Sequence, residues 1–358
     1  MAEAKRCSRC ILPGTYPGIT FDGDGTCSRC HVWDSHWKSW SPGGEELLEK
    51  TLKPLRGITK PYDCILGLSG GKDSAYAAYL CVKHGMTPLA VTYGNGFLTD
   101  WAMENIEKTV KTLGLAHVFV RPSWDKLKPW YRNCLLKASE FCSACNLGIN
   151  AALLRTAKAY GIRVIASGTS PRTEAASPPE FFTSTTYYFR NVSQGAFTKR
   201  DIDDFIYIGR LRKGLMHVTG ASRRVQMARY VEWKENELTK VLSEELGWQG
   251  SLWSQHTDCK VSDAKEYLNL CKHGIAEKTA KLSALVRDGQ LTREKAIELA
   301  EDYEAELRRR GPELKEQLRD VFDLTEEQLE TVLRGNHLAY CSVRTDAMMS
   351  WLKKRFFK

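Results

Sequence analysis

The segment that most constrains this chain runs from Cys64 to Leu80. An apolar stretch, Cys64-Ile65-Leu66-Gly67-Leu68, passes directly into Ser69-Gly70-Gly71-Lys72-Asp73-Ser74. Small and apolar residues at Ala75, Ala77, Ala78 and Leu80 follow at once. The pattern predicts strand, loop and helix in immediate succession. Two glycines let the backbone approach an oxyanion, and the leading amides of the helix aim donors and the positive dipole end at it. Ser69 and Ser74 add hydroxyl donors. Asp73 would repel a phosphate unless a divalent cation lay between them, so magnesium is expected to bridge the two. The loop is not the Gly-x4-Gly-Lys-Ser/Thr pattern, because Leu66 stands at the first glycine position and Asp73 follows Lys72.

Around this segment, from Tyr62 to about residue 220, short apolar runs alternate with helical periods, which argues for a parallel sheet covered by helices. Strands are expected at Tyr62 to Gly67, Pro88 to Tyr93, His117 to Val120 and Arg163 to Ser167. Helices are expected at Ser74 to His84, Trp101 to Leu113 and Asn146 to Tyr160, with another from Gly44 to Leu55. Beyond about Ser262 the chain reads as charged helices whose charged faces are expected to be solvated. A turn is expected at Arg287-Asp288-Gly289-Gln290 and a capping box at Thr325-Glu326-Glu327-Gln328. The expected division is 1–40, 41–255 and 256–358.

Three Cys-x-x-Cys pairs stand out among 12 cysteines. Cys7-x2-Cys10-x16-Cys27-x2-Cys30 has the spacing of a four-thiolate zinc ribbon, a saturated and therefore structural site. Cys142 and Cys145 precede a helix and do not complete a metal site alone. Cys259 and His256 are the candidates to join them, with Cys271 behind. With three thiolates a 4Fe-4S cluster with one open iron is possible; with His256, zinc fits better; buried structural thiols are the third reading. Cys64, Cys81, Cys134, Cys271 and Cys341 are expected to be buried inert thiols.

A formal charge of +9 suits an anionic substrate. Nucleic acid is the less favoured partner, since no aromatic-interleaved basic stripe occurs. No apolar run approaches the roughly 18 residues of a membrane span, and the first six residues lack the apolar stretch of a secretory signal, so a cytoplasmic, membrane-free location is expected.

All six positions of Ser69-Gly70-Gly71-Lys72-Asp73-Ser74 match the Ser-Gly-Gly-x-Asp-Ser signature of the PP-loop pyrophosphatase superfamily, which the chain resembles. The resemblance implies an α/β fold, a doubly wound parallel sheet of the adenine nucleotide alpha hydrolase type, here with a small N-terminal zinc ribbon and a helical C-terminal region. It implies ATP lying across the carboxyl ends of the strands, with Thr92 or Tyr93 near adenine and Ser167-Gly168-Thr169 facing the nucleotide. The shared chemistry is adenylation, with a carbonyl oxygen attacking the α-phosphorus and pyrophosphate leaving.

Further blocks resemble the N-acetyl sugar amidotransferase family of PP-loop enzymes. They are Cys7-Ser8-Arg9-Cys10, residues 17–22, Asp63 to Ser74, Phe141 to Ile149 and Arg287 to Glu294. That resemblance implies an acetamido oxygen on a nucleotide-linked sugar, adenylated and then replaced by ammonia. With no Gly-x-Cys-x-Gly elbow and alanine at position 2, ammonia is expected from a partner glutaminase through a channel subunit. Lys72 and Asp73 are the expected catalytic residues on the loop. In the segment after the late strand, Arg172 is expected to bind the anionic substrate and Glu174 to orient the amine or take its proton; both also read as ordinary polar loop residues. The alternative reading is ATP-driven sulfur insertion into tRNA or a small molecule, with sulfur held at Cys142, Cys145 and Cys259.

Overall fold

The computed structural model describes residues 5–170, 172–173, 181, 183–207, 223–250 and 258–335. Five strands, β1 (Cys64–Gly67), β2 (Pro88–Tyr93), β3 (Ala116–Val120), β4 (Val164–Ser167) and β5 (Arg223–Gln226), form one sheet in the order β3-β2-β1-β4-β5. Every pairing is parallel, with Leu66 opposite both Ala90 and Ala166. The chain builds outward from β1 to β3 and then returns to the other side of β1. The connections leaving β1 and β4 therefore diverge, which opens a crevice at their carboxyl ends.

Strands buried on both faces read as continuous apolar runs, and alternation assigns each residue its face. Cys64, Leu66, Val164, Ala166 and Val225 pack with α3 (Lys72–Lys83) and with α9 (Glu235–Leu246). Ile65, Leu89, Val91 and Ile165 pack against Leu154 and Ala157 of α6 (Cys142–Ala159). Helix α4 (Asp100–Leu113) starts where the Thr99 hydroxyl accepts from the Ala102 amide and ends at Gly114 with φ +61°.

Several elements escaped the sequence reading, among them the helices Ser28–His36, Thr186–Ser193, Lys199–Ile206 and Glu235–Leu246, and two are instructive. Helix α5 (Trp124–Ala138) contains Pro129, a residue that removes a helical hydrogen bond. Burial of Leu127, Trp130, Tyr131, Cys134, Leu135 and Ala138 along one face stabilises it nonetheless. Strand β5 (Arg-Arg-Val-Gln) buries only Val225 fully, as an edge strand can. Expected strands and helices elsewhere agree to within a few residues, and the Gly44 helix is α2 (Gly44–Leu52) followed by a single 3-10 turn.

The C-terminal region is a layer of five helices: α10 (Ser262–His273), α11 (Glu277–Arg287), α12 (Arg293–Arg309), α13 (Gly311–Phe322) and α14 (Glu326–Arg334). The capping box at Thr325 and Gln328 is present. The charged faces differ from expectation. Lys265, Glu266, Glu277, Lys281 and Glu304 are buried, because α10 and α11 lie against the rest of the molecule and their charges pair internally, Lys265 with Glu266 and Glu277. One apolar core joins α10, α13 and α14 to α5, α7 (Thr186–Ser193) and α8 (Lys199–Ile206). Cys64, Cys81 and Cys134 are buried as expected, whereas Cys271 on α10 is exposed; Cys341 lies outside the described residues. Among the described residues, no helix is long and apolar enough to cross a membrane.

Gly168, just past β4, is where two backbones meet: a Cβ there would lie 2.0 Å from the Asp73 carbonyl oxygen. Gly168→Ala is expected to destabilise the protein by about 1–3 kcal/mol through overpacking, read as a lowered denaturation midpoint; an unchanged midpoint would contradict this placement.

Candidate nucleotide site and cysteine centres

The loop after β1 folds on its own side chains. The Ser69 amide donates to Ser74 Oγ (3.2 Å), the Gly71 amide to Ser69 Oγ (3.3 Å), and the Ser74 hydroxyl to the Gly71 carbonyl (2.9 Å). Gly70 has φ +83°, and a Cβ there would meet the Ala102 carbonyl at 2.3 Å. Only glycine fits. The Trp248 indole N–H donates to the Gly70 carbonyl at 2.8 Å and fixes the loop from outside. Helix α3 starts at Lys72 with Gly71 as its cap and no side-chain acceptor. Gly71 has no side chain to serve as that acceptor, and the positive dipole end of α3 lies at the loop.

Both charged side chains of the loop are held. The Trp233 indole donates to Asp73 Oδ1 at 2.7 Å, and Lys72 Nζ lies 3.4 Å from Asp73 Oδ2. Lys72 also meets the buried carboxylate of Glu235 at 3.2 Å, and Glu235 meets Lys281 at 3.2 Å on its other oxygen. These are ion pairs between ammonium and carboxylate rather than well-aligned hydrogen bonds. Neither Trp233 nor Glu235 carries a motif, and each reaches the loop from about 160 residues away, so sequence spacing held no signal for them.

Beside the loop a cavity of about 260 Å³ is lined by Ser69, Ser74, Thr92, Tyr93, Cys142, Cys145, Asp258, Cys259 and Lys265, among others. Cys142 and Cys145 sit in the first turn of α6. Asp258 and Cys259 arrive by a short antiparallel pairing with residues 97–99, through Thr99 N–H to Asp258 O and Lys260 N–H to Phe97 O. The fold thus brings all three predicted cysteines to one wall facing the loop. Asp258 Oδ2 is 3.6 Å from where a Cβ on Gly71 would be, and sequence reasoning passed over it although it adjoins Cys259. Lys265 is likewise new.

Thr92 is committed internally, donating to the Leu68 carbonyl at 2.6 Å with His117 Nε2 at 2.8 Å. Tyr93 lies against α6, where a Cβ on Gly148 would be 2.4 Å from its hydroxyl. Arg172 does not line the cavity. It pairs with Asp288, donates to the Trp40 carbonyl and lies over the rings of Trp33 and Trp40. Glu174 and His256 lie outside the described residues.

Burial pushes the Cys145 thiol up to about 11, against a hydrogen bond from Asn95 Nδ2, and the Cys259 thiol up to about 12. Cys142 is raised further by the same cause. Among the described residues, only Cys7, Cys10, Cys27 and Cys30 bring three or more ligand atoms within 4.8 Å of one another. The cavity cysteines are therefore not preset for a single ion.

The N-terminal quartet is. Sulfur separations of 3.9 Å (Cys7–Cys30), 3.7 Å (Cys10–Cys27) and 3.7 Å (Cys27–Cys30) match the edge of about 3.8 Å that a tetrahedron with metal–sulfur bonds of about 2.3 Å requires. The Cys7 sulfur also accepts from the amides of Arg9, Cys10 and Cys27. Hydrogen bonds from Cys10, Cys27 and Cys30 hold the Cys7 thiol far below its usual range, while contacts with Cys10, Cys27 and Cys7 push Cys30 far above. Four thiolates at this spacing need a cation, and the cluster can hold a metal.

Residues 250–354 match a family described as the C-terminal domain of LPS biosynthesis protein WbpG-like chains. An uncharacterized protein of Methanocaldococcus jannaschii is 25% identical over 316 residues, covering 86% of this chain and 99% of that one. NMN synthetase from Francisella tularensis aligns with a TM-score of 0.38 and 16% identity, over 75% of this chain and 94% of that one. A predicted subunit of tRNA methyltransferase from M. jannaschii gives 0.24 and 16%, over 51% and 74%.

In metal-free protein, the raised folded-state values of Cys145 and Cys259 keep both protonated at neutral pH. Their contribution to stability is present below the ordinary thiol range and is lost as pH rises toward about 11 and 12. Iodoacetamide mass mapping at pH 8 is expected to label both far more slowly than after unfolding; equal rates would contradict the burial.

Proposed function

We propose that the chain is an ATP-dependent, AMP-forming enzyme that adenylates an acetamido oxygen, on a nucleotide-linked sugar, and then replaces AMP with ammonia from a partner glutaminase. The observation that carries the reading is the Ser69–Ser74 turn that leads β1 into the N-terminus of α3, set beside a cavity at the carboxyl ends of β1 and β2. The match of residues 250–354 to an LPS biosynthesis family adds support for a surface-polysaccharide substrate.

In this reading the amides of Gly70 to Ser74 and the hydroxyls of Ser69 and Ser74 bind the departing phosphates, and Lys72 offsets their charge. Asp73 would hold magnesium, which would screen the carboxylate from phosphate and supply charge stabilisation to the leaving pyrophosphate. The substrate oxygen forms a bond to the α-phosphorus as the α–β bridging bond breaks. Ammonia then adds to the activated carbon, AMP departs with the oxygen, and the nitrogen gives up a proton. Asp258 faces the loop across the cavity and is the proposed acceptor of that proton, with Glu174 the second candidate. Thr92 and Tyr93 wall the nucleotide side at the end of β2, and Gly168 keeps β4 close to the loop. Arg172 acts from outside the cavity, bracing the segment after β4 against Asp288. The N-terminal quartet holds a structural zinc.

A second reading has its own observation: Cys142, Cys145 and Cys259 share the cavity with the loop. Those three thiolates would hold a 4Fe-4S cluster with one open iron, which would supply sulfur to the activated carbon in place of the oxygen that leaves with AMP. Anaerobic purification separates the two, since a brown protein favours sulfur and a colourless one ammonia.

ATP-dependent pyrophosphate release is expected to fall by about 10²-fold or more in Asp73→Asn, with the denaturation midpoint near that of the parent. Full pyrophosphate release by this variant would overturn the proposal.

A further inference from the structure

The segment Arg287 to Glu294 is the part of the sequence pattern that the proposed chemistry does not use, yet its side chains reach two distant places. Gln290 spends its whole amide group on tertiary contacts. Its oxygen accepts from the Glu235 backbone N–H at 2.8 Å, and its nitrogen donates to the Trp233 carbonyl at 3.2 Å and to Asp288 Oδ2 at 2.7 Å. Trp233 and Glu235 are the residues that hold Asp73 and Lys72. Three residues on, Arg293 donates Nε to the Cys10 carbonyl at 3.1 Å and Nη2 to the Cys7 carbonyl at 3.0 Å, gripping the first knuckle of the cysteine quartet. Gly289, at φ +74°, makes the tight turn just before Gln290, and the Thr292 hydroxyl caps α12 just before Arg293. Helix α11, which leads into the turn, is itself fixed at both ends of this path. Its Ala280 packs with the four cysteines, and its Lys281 pairs with Glu235.

We infer that Arg287 to Glu294 is a positioning bracket that couples the metal-binding knuckles to the phosphate loop, with Arg293 gripping the knuckles and Gln290 setting Trp233 and Glu235 against Asp73 and Lys72. A hydrogen-bonded path of rigid turns transmits displacement because neither end has a soft alternative partner at hand. Metal occupancy at Cys7, Cys10, Cys27 and Cys30 therefore tunes the loop, although those sulfurs take no part in chemistry. Gln290 and Arg293 are positioning residues, since each acts through another side chain or through backbone.

The test compares four states of the full chain: parent and Gln290→Met, each with its metal and after chelation. Gln290→Met keeps the volume and removes all three hydrogen bonds. The first readout needs no nucleotide: hydrogen exchange by mass spectrometry over residues 69–75 and 233–235. Chelation and Gln290→Met are each expected to accelerate exchange there, and chelation of Gln290→Met to add little more, while metal content of the untreated variant stays equal to that of the parent. The second readout rests on the ATP-binding reading above: either change weakens ATP–magnesium affinity by about 5-fold or more, and the two together do not multiply. Should Gln290→Met fail to fold, Arg293→Lys serves instead, since lysine keeps the charge but cannot fork between two carbonyls.

Exchange at 69–75 unaffected by chelation would overturn the bracket. So would independent effects, with the combined change equal to the product of the single changes within about twofold. A parent protein that binds no ATP but shows the coupled exchange would remove the proposed function and leave the bracket standing.

Discussion

A backbone cannot leave a buried strand, turn through a left-handed residue and start a helix within five residues unless something replaces the missing hydrogen-bond partners. Here Ser69 and Ser74 supply them for each other's turn, and Gly70 passes under the Ala102 carbonyl where any side chain would collide. Trp248 closes the remaining carbonyl. The junction opens into the N-terminus of α3, whose cap Gly71 carries no side chain, at the edge of the crevice that the β3-β2-β1-β4-β5 order creates. The sheet, both helical layers and the C-terminal region serve to hold that junction in place.

Charge placement around the junction is unusual in how much of it is buried. Glu235 sits between Lys72 and Lys281, and Lys72 also faces Asp73, so two carboxylates and two ammonium groups balance. Removing the buried Glu235 is expected to cost about 3–5 kcal/mol, because the lysines lose their compensating charge. In the proposed reading an arriving phosphate would compete with Glu235 and Asp73 for Lys72, unless a divalent cation on Asp73 offset the added negative charge. The helices beyond residue 260 and the turn between two of them make this arrangement possible by bringing Lys281, Gln290 and Lys265 to the site.

Local features were legible in the sequence and tertiary ones were not. The strand into Ser69 to Ser74, the helix after it, the capping box at Thr325 and the turn at Gly289 depend on neighbours within a few residues. The cysteine quartet was legible because a tetrahedral ion imposes its spacing. Helix α5 was hidden by Pro129 and β5 by its arginines, since propensity and polarity there yield to packing. The charged C-terminal helices looked solvated because nothing local tells Lys265 or Lys281 that its partner carboxylate is also buried. Cys142, Cys145 and Cys259, grouped in the sequence reading, line one cavity, whereas the aspartate and lysine beside them were passed over.

The account stands or falls on where the nucleotide's phosphates lie. A crystal structure with a non-hydrolysable ATP analogue and magnesium is predicted to place phosphate oxygens within about 3 Å of the amides between Gly70 and Ser74, with the metal on Asp73. A triphosphate bound away from that junction would contradict it.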